Sequence, residues 1–247
     1  MNEQHAVVVG GTRGLGRIVV QKFLARGYAV SVVSRHKPAD FEDGQRLRHF
    51  AADLEKSETF ANLPAQIRDA FGPISYLVLS QRFRGEGDRW AGEMQVGLTA
   101  SRALVEGLAP HFADQGDRAI AVVSSAYAEF AGSSQAAGYH AVKAGLNAMV
   151  RYYAVTLGRK GIRVNAIMPM THLKPESRAF YEGNEKSMDA YRRLVPLGRL
   201  GTAEESADAI DFLCSARASF INGQSLFVDG GVSVVWQEEV AKIFTGL

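Results

Sequence analysis

Ala6-Val7-Val8-Val9-Gly10-Gly11-Thr12-Arg13-Gly14-Leu15-Gly16 decides how the rest of the chain is read. The apolar run over 6–9, rich in β-branched valine, predicts a strand buried on both faces, as in a parallel sheet. The glycines then turn the chain, and 15–25 carries the apolar period of an amphipathic helix closed by Gly27. Within the turn, Gly10 permits a tight bend, Gly14 lets the backbone approach a pyrophosphate, and Gly16 allows helix and strand to pack closely. A helix that starts there aims its unpaired N–H groups at phosphate. A glycine-rich turn alone is weak evidence; a clear strand before it and a clear helix after it make the dinucleotide reading specific.

Working outward, strands are predicted at 28–33, 47–52, 74–79, 119–124, 162–168 and 225–228. Helices are predicted between them at 57–71, 90–112 and 203–214, with one through Tyr139 to Leu157. Sustained alternation of this kind predicts an α/β fold: one Rossmann-type domain over 1–247, a doubly wound parallel β-sheet with helices on both faces. Such sheets take ligands at the carboxyl ends of their strands. A hydrophobic share of 47% and a charged share of 22% suit a globular chain with a sizeable core. Net charge of +2 is too small to suggest nucleic acid or an anionic membrane as partner. The single cysteine, Cys214, rules out an internal disulfide and reads as a buried thiol. His111, His140 and His172 have no metal-ligand spacing, so no metal is expected. With neither a signal-peptide pattern nor an apolar run long enough to span a bilayer, the expectation is a cytoplasmic protein.

Tyr139 and Lys143 stand one helical turn apart, downstream of Ser125. A phenol with a pKa of about 10 is a poor acid–base group at neutral pH. An ammonium on the same helix face favours the phenolate, and a nearby hydroxyl can hold the substrate oxygen. On spacing alone the pair is an ordinary helical contact; its place in a dinucleotide-type sheet gives it weight.

Further matches follow in order: Asp53-Leu54 after the third strand, Tyr139-x-x-x-Lys143-Ala144-Gly145, Arg163-Val164-Asn165-Ala166-Ile167-x-Pro169, Pro196-Leu197-Gly198-Arg199, and Gly223-x-x-x-x-Val228-Asp229-Gly230-Gly231. With the G-x-x-x-G-x-G turn, these make the chain resemble the short-chain dehydrogenase/reductase family over nearly its whole length, and within it members like 3-oxoacyl-[acyl-carrier-protein] reductase. The resemblance implies hydride transfer between a nicotinamide and a carbon bearing oxygen. It assigns proton transfer to Tyr139 and substrate positioning to Ser125. Lys143 would lower the tyrosine pKa and hold the nicotinamide ribose. It also implies cofactor contacts from Gly10, Thr12, Arg13, Gly14, Leu15, Gly16, Ser34, Arg35, Asp53, Leu54, Ser80, Tyr139, Lys143, Pro169 and Thr171, with Asp53 at the adenine amino group. The second strand ends Ser34-Arg35-His36 without the acidic residue that takes ribose hydroxyls, and Arg35 with Arg13 suits a 2′-phosphate. NADP(H) is therefore favoured over NAD(H).

Three departures from the family pattern stand out. Leu79-Ser80-Gln81-Arg82 replaces Asn-Asn-Ala-Gly, Gly97 replaces a relay asparagine, and Pro169-Met170 replaces Pro-Gly. Gly97 is expected to leave its carbonyl free beside room for water. The Ser-to-Tyr interval makes Ser124 an alternative to Ser125. These departures keep open a non-redox enzyme of the same fold (epimerase, dehydratase or isomerase) and a nucleotide-binding sensor or scaffold without turnover.

The variable substrate lid is placed at 171–196, with Tyr181, Met188 and Tyr191 among Lys174, Arg178, Arg192 and Arg193. A second basic cluster comprises Arg82, Arg84 and Arg89. Both admit an anionic or carrier-bound carbonyl or alcohol substrate, or simply a solvated face. Trp90 and Trp236 read as packing residues. The apolar tail at 232–247 is expected to cover a neighbouring subunit or the active site. A homodimer or homotetramer is implied by the resemblance.

Overall fold

The computed structural model describes residues 4–245. Its strands are β1 (His5–Val9), β2 (Ala29–Ser34), β3 (Leu47–Ala51), β4 (Tyr76–Leu79), β5 (Ala119–Val123), β6 (Arg163–Pro169), β7 (His172–Leu173), β8 (Gly201–Thr202) and β9 (Ser225–Val228). Seven of them form one parallel sheet in the order β3-β2-β1-β4-β5-β6-β9, and β7 pairs with β8 in a small separate ladder. Because β1 pairs with β2 on one side and β4 on the other, the winding reverses there. That switch point opens a crevice directly above the glycine turn.

The valine run of β1 is buried on both faces, as predicted. Val7 and Val9 join a core with Ile67, Leu104 and Val150, from α2 (Leu63–Phe71), α4 (Ala100–Leu108) and α5 (Ala137–Gly158). Ala6 and Val8 join a second core on the opposite face with Phe23 and Ile210, from α1 (Gly14–Ala25) and α8 (Ala203–Leu213). Each fully buried aliphatic side chain contributes about 1.5–3 kcal/mol, so period-2 alternation would have left half of this stabilisation unused. The remaining helices are α3 (Arg89–Met94), α6 (Arg178–Glu182), α7 (Glu185–Leu194) and α9 (Gln237–Thr245).

Several expected boundaries are corrected. The helix predicted at 57–71 begins only at Leu63; Ser57–Thr59 is a separate 3₁₀ turn, and Pro64 occupies the first turn of α2, where its missing N–H costs nothing. The helix predicted at 90–112 divides into α3, a π turn at Gln95–Thr99 and α4, and Pro110 lies in a closing 3₁₀ turn. Close packing explains the glycine in the π turn: a Cβ on Gly97 would stand 2.3 Å from Val142 Cγ1 of α5. The Gly97 carbonyl is not free, because Ser101 Oγ donates to it at 2.6 Å, and Gln81 Nε2 donates in turn to Ser101 Oγ at 2.8 Å. The tail forms a 3₁₀ turn and α9, which docks on α7 with the Arg193 guanidinium 5.0 Å from the Phe244 ring centre. Trp90 and Trp236 stay 54% and 63% exposed, so neither is the packing residue it was read as.

The Arg163-Val164-Asn165 run has a structural use. Arg163 pairs with Asp117 at 2.9 Å and donates to the carbonyls of Leu213 and Ser215. Asn165 Nδ2 donates to Ile221 O while its side-chain oxygen accepts from Gln224 N. Together they fasten β6 to the segment that leads into β9.

Candidate active site

Ser125 follows β5, Tyr139 and Lys143 lie in the first turns of α5, and all three sit at the carboxyl end of the sheet. Ser125 is buried, with Oγ accepting from Tyr127 N–H at 3.2 Å. Ser124 uses its hydroxyl to donate to the Lys143 carbonyl at 3.1 Å. That buried bond holds α5 to the end of β5 and takes Ser124 out of contention as the site hydroxyl.

Lys143 is buried, and Nζ donates to Val123 O at 2.7 Å. Burial, reinforced by the charge of Arg82, lowers its pKa to about 8. Tyr139 is half-buried beneath a second cation: the Arg82 guanidinium lies 4.6 Å from the ring centre and Lys143 Nζ 5.5 Å from it. Arg82 is held there by donating to Gln135 Oε1 at 2.9 Å. The Tyr127 ring meets Tyr139 edge-on at 6.1 Å. His140 faces away and ties Tyr127 O and Gly132 O to the helix start.

The glycine turn bends through Gly10 and Gly14, with φ of 79° and 52°. A Cβ on Gly16 would stand 2.3 Å from Gly10 O, so only glycine lets α1 start this close to the turn. Arg13 is exposed at the N-cap, Thr12 is half-buried beside it, and Leu15 is core. Gly14 N–H donates at 2.7 Å to the Glu176 carboxylate, which reaches over from the 171–196 segment. An anion thus already rests on the helix N-terminus, where a phosphate would, and the residues present fit a dinucleotide.

At the end of β2, Ser34 Oγ donates to His36 O at 2.9 Å and contacts His49 Nε2 at 2.8 Å. Arg35 reaches Glu55 at 3.4 Å across an exposed gap. Asp53 accepts from Glu55 N–H, while the Leu54 side chain is core and its carbonyl accepts from Gln95. Ser80 N–H donates to Val9 O, closing β4 against β1. Pro169 ends β6.

Sequence reasoning missed the chamber beyond it. Thr171, Met170 and His172 line a cavity of about 550 Å³ with Leu197, Phe227 and Gly231. His172 is buried against Ser206 Oγ at 3.2 Å, and burial pushes its pKa down to about 4. These walls come from well-separated segments, so no local pattern could have announced them. Among the described residues no cluster of His, Cys, Asp or Glu suits a metal ion, and no helix is long and apolar enough to cross a membrane.

A doubly wound sheet with a glycine turn at its switch point defines a dinucleotide-binding class of fold. Comparison with known proteins agrees. The family model described as Enoyl-(Acyl carrier protein) reductase matches residues 9–233. A probable 2,4-dienoyl-CoA reductase of Bacillus subtilis (strain 168) is 30% identical over 94% of this chain and 97% of its own length. A 3alpha-hydroxysteroid dehydrogenase of Mediterraneibacter gnavus is 30% identical over 91% of this chain and 95% of its own. The ligand-free aldohexose dehydrogenase structure from Thermoplasma acidophilum superimposes with a TM-score of 0.83 at 25% identity, covering 96% of each chain. The chain belongs to the short-chain dehydrogenase/reductase family, whose members use a nicotinamide cofactor.

Proposed function

We propose that the chain is an NADPH-dependent oxidoreductase that reduces a ketone or other carbonyl to an alcohol, with Ser125, Tyr139 and Lys143 as its catalytic set. The observation that carries this reading is Tyr139, half-buried at the carboxyl end of the sheet, with Lys143 facing its ring and Ser125 beside the same strand end. A bound nicotinamide supplies the hydride; the protein orients the substrate and delivers the proton. Tyr139 gives its hydroxyl proton to the carbonyl oxygen, and Ser125 holds that oxygen by a hydrogen bond. The Lys143 ammonium complements the negative charge that develops on the phenol oxygen.

The cofactor would be held by Gly10, Thr12, Arg13, Gly14, Leu15 and Gly16 at the turn, Ser34 and Arg35 after β2, Asp53 and Leu54 after β3, Ser80 after β4, and Pro169 and Thr171 after β6. Preference for NADP is supported by Arg13 and Arg35: Arg13 has no carboxylate partner among the described residues, and Arg35 has only the long, exposed contact to Glu55. We read 171–196 as the substrate lid. Tyr152 and Val155, 63% and 72% exposed on α5, support a closed homo-oligomer through that helix.

The test is titration with NADPH and NADH, for wild type, Arg35→Asp and Tyr139→Phe. Wild type is expected to prefer NADPH, and Arg35→Asp to lose that preference. Tyr139→Phe should keep NADPH affinity while carbonyl reduction falls about 10²–10⁴-fold, the usual share of positioned proton transfer. Near-normal turnover in Tyr139→Phe would refute the assignment, as would the absence of any nucleotide binding.

A further inference from the structure

The charges around Tyr139 do not balance. Arg35 and Arg89 have Glu55 and Glu93 at 3.4 and 4.0 Å. Arg13, Arg82, Arg84 and Lys174 have no carboxylate within ion-pair distance among the described residues. They also crowd one another. After burial, the causes that lower the pKa of Arg84 are Arg13 and Arg82. Those that lower Lys174 are Arg84 and Arg82, and Glu176 is the opposing charge in both cases. Glu176 is itself engaged on Gly14 N–H. A cleft in which cations outnumber the carboxylates that face them is complementary to an anion.

The nucleotide accounts for part of that excess. On the reading above, its pyrophosphate belongs at the N-terminus of α1 and its 2′-phosphate at Arg13 and Arg35. Arg82 lies elsewhere. Its guanidinium covers the Tyr139 ring and is anchored to Gln135, on the loop that runs from Ser125 to Tyr139. That loop is the wall on which the substrate oxygen would be held. The fixed fork of a guanidinium binds a carboxylate through two parallel N–H groups, and the bond to Gln135 engages one of its NH2 nitrogens. A carboxylate bound here would stand only a few bonds from an oxygen hydrogen-bonded to Tyr139.

We propose that Arg82 is the specificity-determining residue of this site and binds the carboxylate of a short 2- or 3-oxo acid whose ketone is presented to Tyr139, with Lys174 of the lid as a second cation. The proposal rests on the reductase reading for the identity of the ketone but not for the anion site itself. Arg82 is exposed, so its replacement does not open the core.

The test uses the full chain loaded with NADPH and follows binding by calorimetry at fixed ionic strength. The probes are malonate, a non-reducible isostere of a 3-oxo acid, and neutral malonamide. Malonate is expected to bind and malonamide to fail. Arg82→Gln should weaken malonate about ten- to hundredfold, the range for a charge-assisted hydrogen bond, and Arg82→Lys less. NADPH affinity should not change. No malonate binding to wild type, or equal binding to Arg82→Gln, overturns the proposal. Parallel loss of NADPH affinity also overturns it and makes Arg82 a ligand of a cofactor phosphate.

Turnover is then compared for acetoacetate and its ethyl ester. The acid-to-ester ratio of kcat/KM should fall at least about tenfold in Arg82→Gln, as expected for one lost charge pair. If wild type reduces neither while malonate binding still depends on Arg82, the reductase reading fails and the anion site stands. If both are reduced at a ratio that Arg82→Gln leaves unchanged, the anion site fails and the reductase reading stands.

Discussion

Replacing Lys143 by methionine should stabilise the fold at neutral pH while removing the charge that lies 5.5 Å from the Tyr139 ring centre. The ammonium is buried, and its pKa drops from 10.5 to about 8. At about 1.4 kcal/mol for each tenfold change in proton affinity, holding Lys143 charged at pH 7 costs the folded state about 3 kcal/mol. Methionine has a similar length and no charge, so it removes that cost. It also leaves Val123 O without its 2.7 Å hydrogen bond, a loss of about 1–3 kcal/mol. The net expectation at pH 7 is a gain of about 0–2 kcal/mol, or up to several degrees in Tm.

The pH dependence gives the sharper check. Because the folded pKa is depressed, the folded protein binds fewer protons than the unfolded chain between pH 8 and 10.5. Wild-type stability from this group therefore rises with pH across that window, and the methionine variant lacks the slope. Urea unfolding of both proteins at several pH values from 7 to 10 should show the variant's advantage shrinking and then reversing. The reasoning is refuted if the variant is the weaker protein at pH 7 by a margin that does not change with pH.

Two further outcomes follow from the geometry. Gly97→Ala drives a Cβ to within 2.3 Å of Val142 Cγ1 and should cost about 1–3 kcal/mol; Gly97→Ala combined with Val142→Ala should recover part of that in urea unfolding, and simple additivity would show that the clash is not the cause. Glu176→Gln removes the carboxylate that rests on Gly14 N–H, so NADPH should bind about two- to fivefold tighter, matching about 0.3–1 kcal/mol for a charge at a helix N-terminus; weaker binding in the titration would mean that Glu176 supports the cofactor rather than competing with it.

Sequence alone settled the elements whose signal is local. The β1 valines, the glycine turn and the α1 periodicity are consecutive, so strand, turn and helix could be read in one pass. Alternation of such units then specified a parallel sheet with helices on both faces. Tyr139, Lys143 and Ser125 were legible because a single helix and a single strand end carry them. Boundaries failed where a distant neighbour decided them. The π turn at Gln95–Thr99 lies where α5 packs Val142 against Gly97, and Trp90 stays exposed although it was read as a packing residue. The tail's apolar residues suggested that they would be covered, yet Val234, Trp236 and Phe244 stay exposed on this chain, and only the fold sets Arg193 of α7 beside the Phe244 ring. Arg82 is the clearest case. In sequence it is one basic residue in a loop, beside Arg84 and Arg89. Tertiary structure divides that cluster, pairs Arg89 with Glu93 and sets Arg82 against the Tyr139 ring. Backbone periodicity is written into adjacent residues, whereas the field at a site is the sum of charges that only folding brings together.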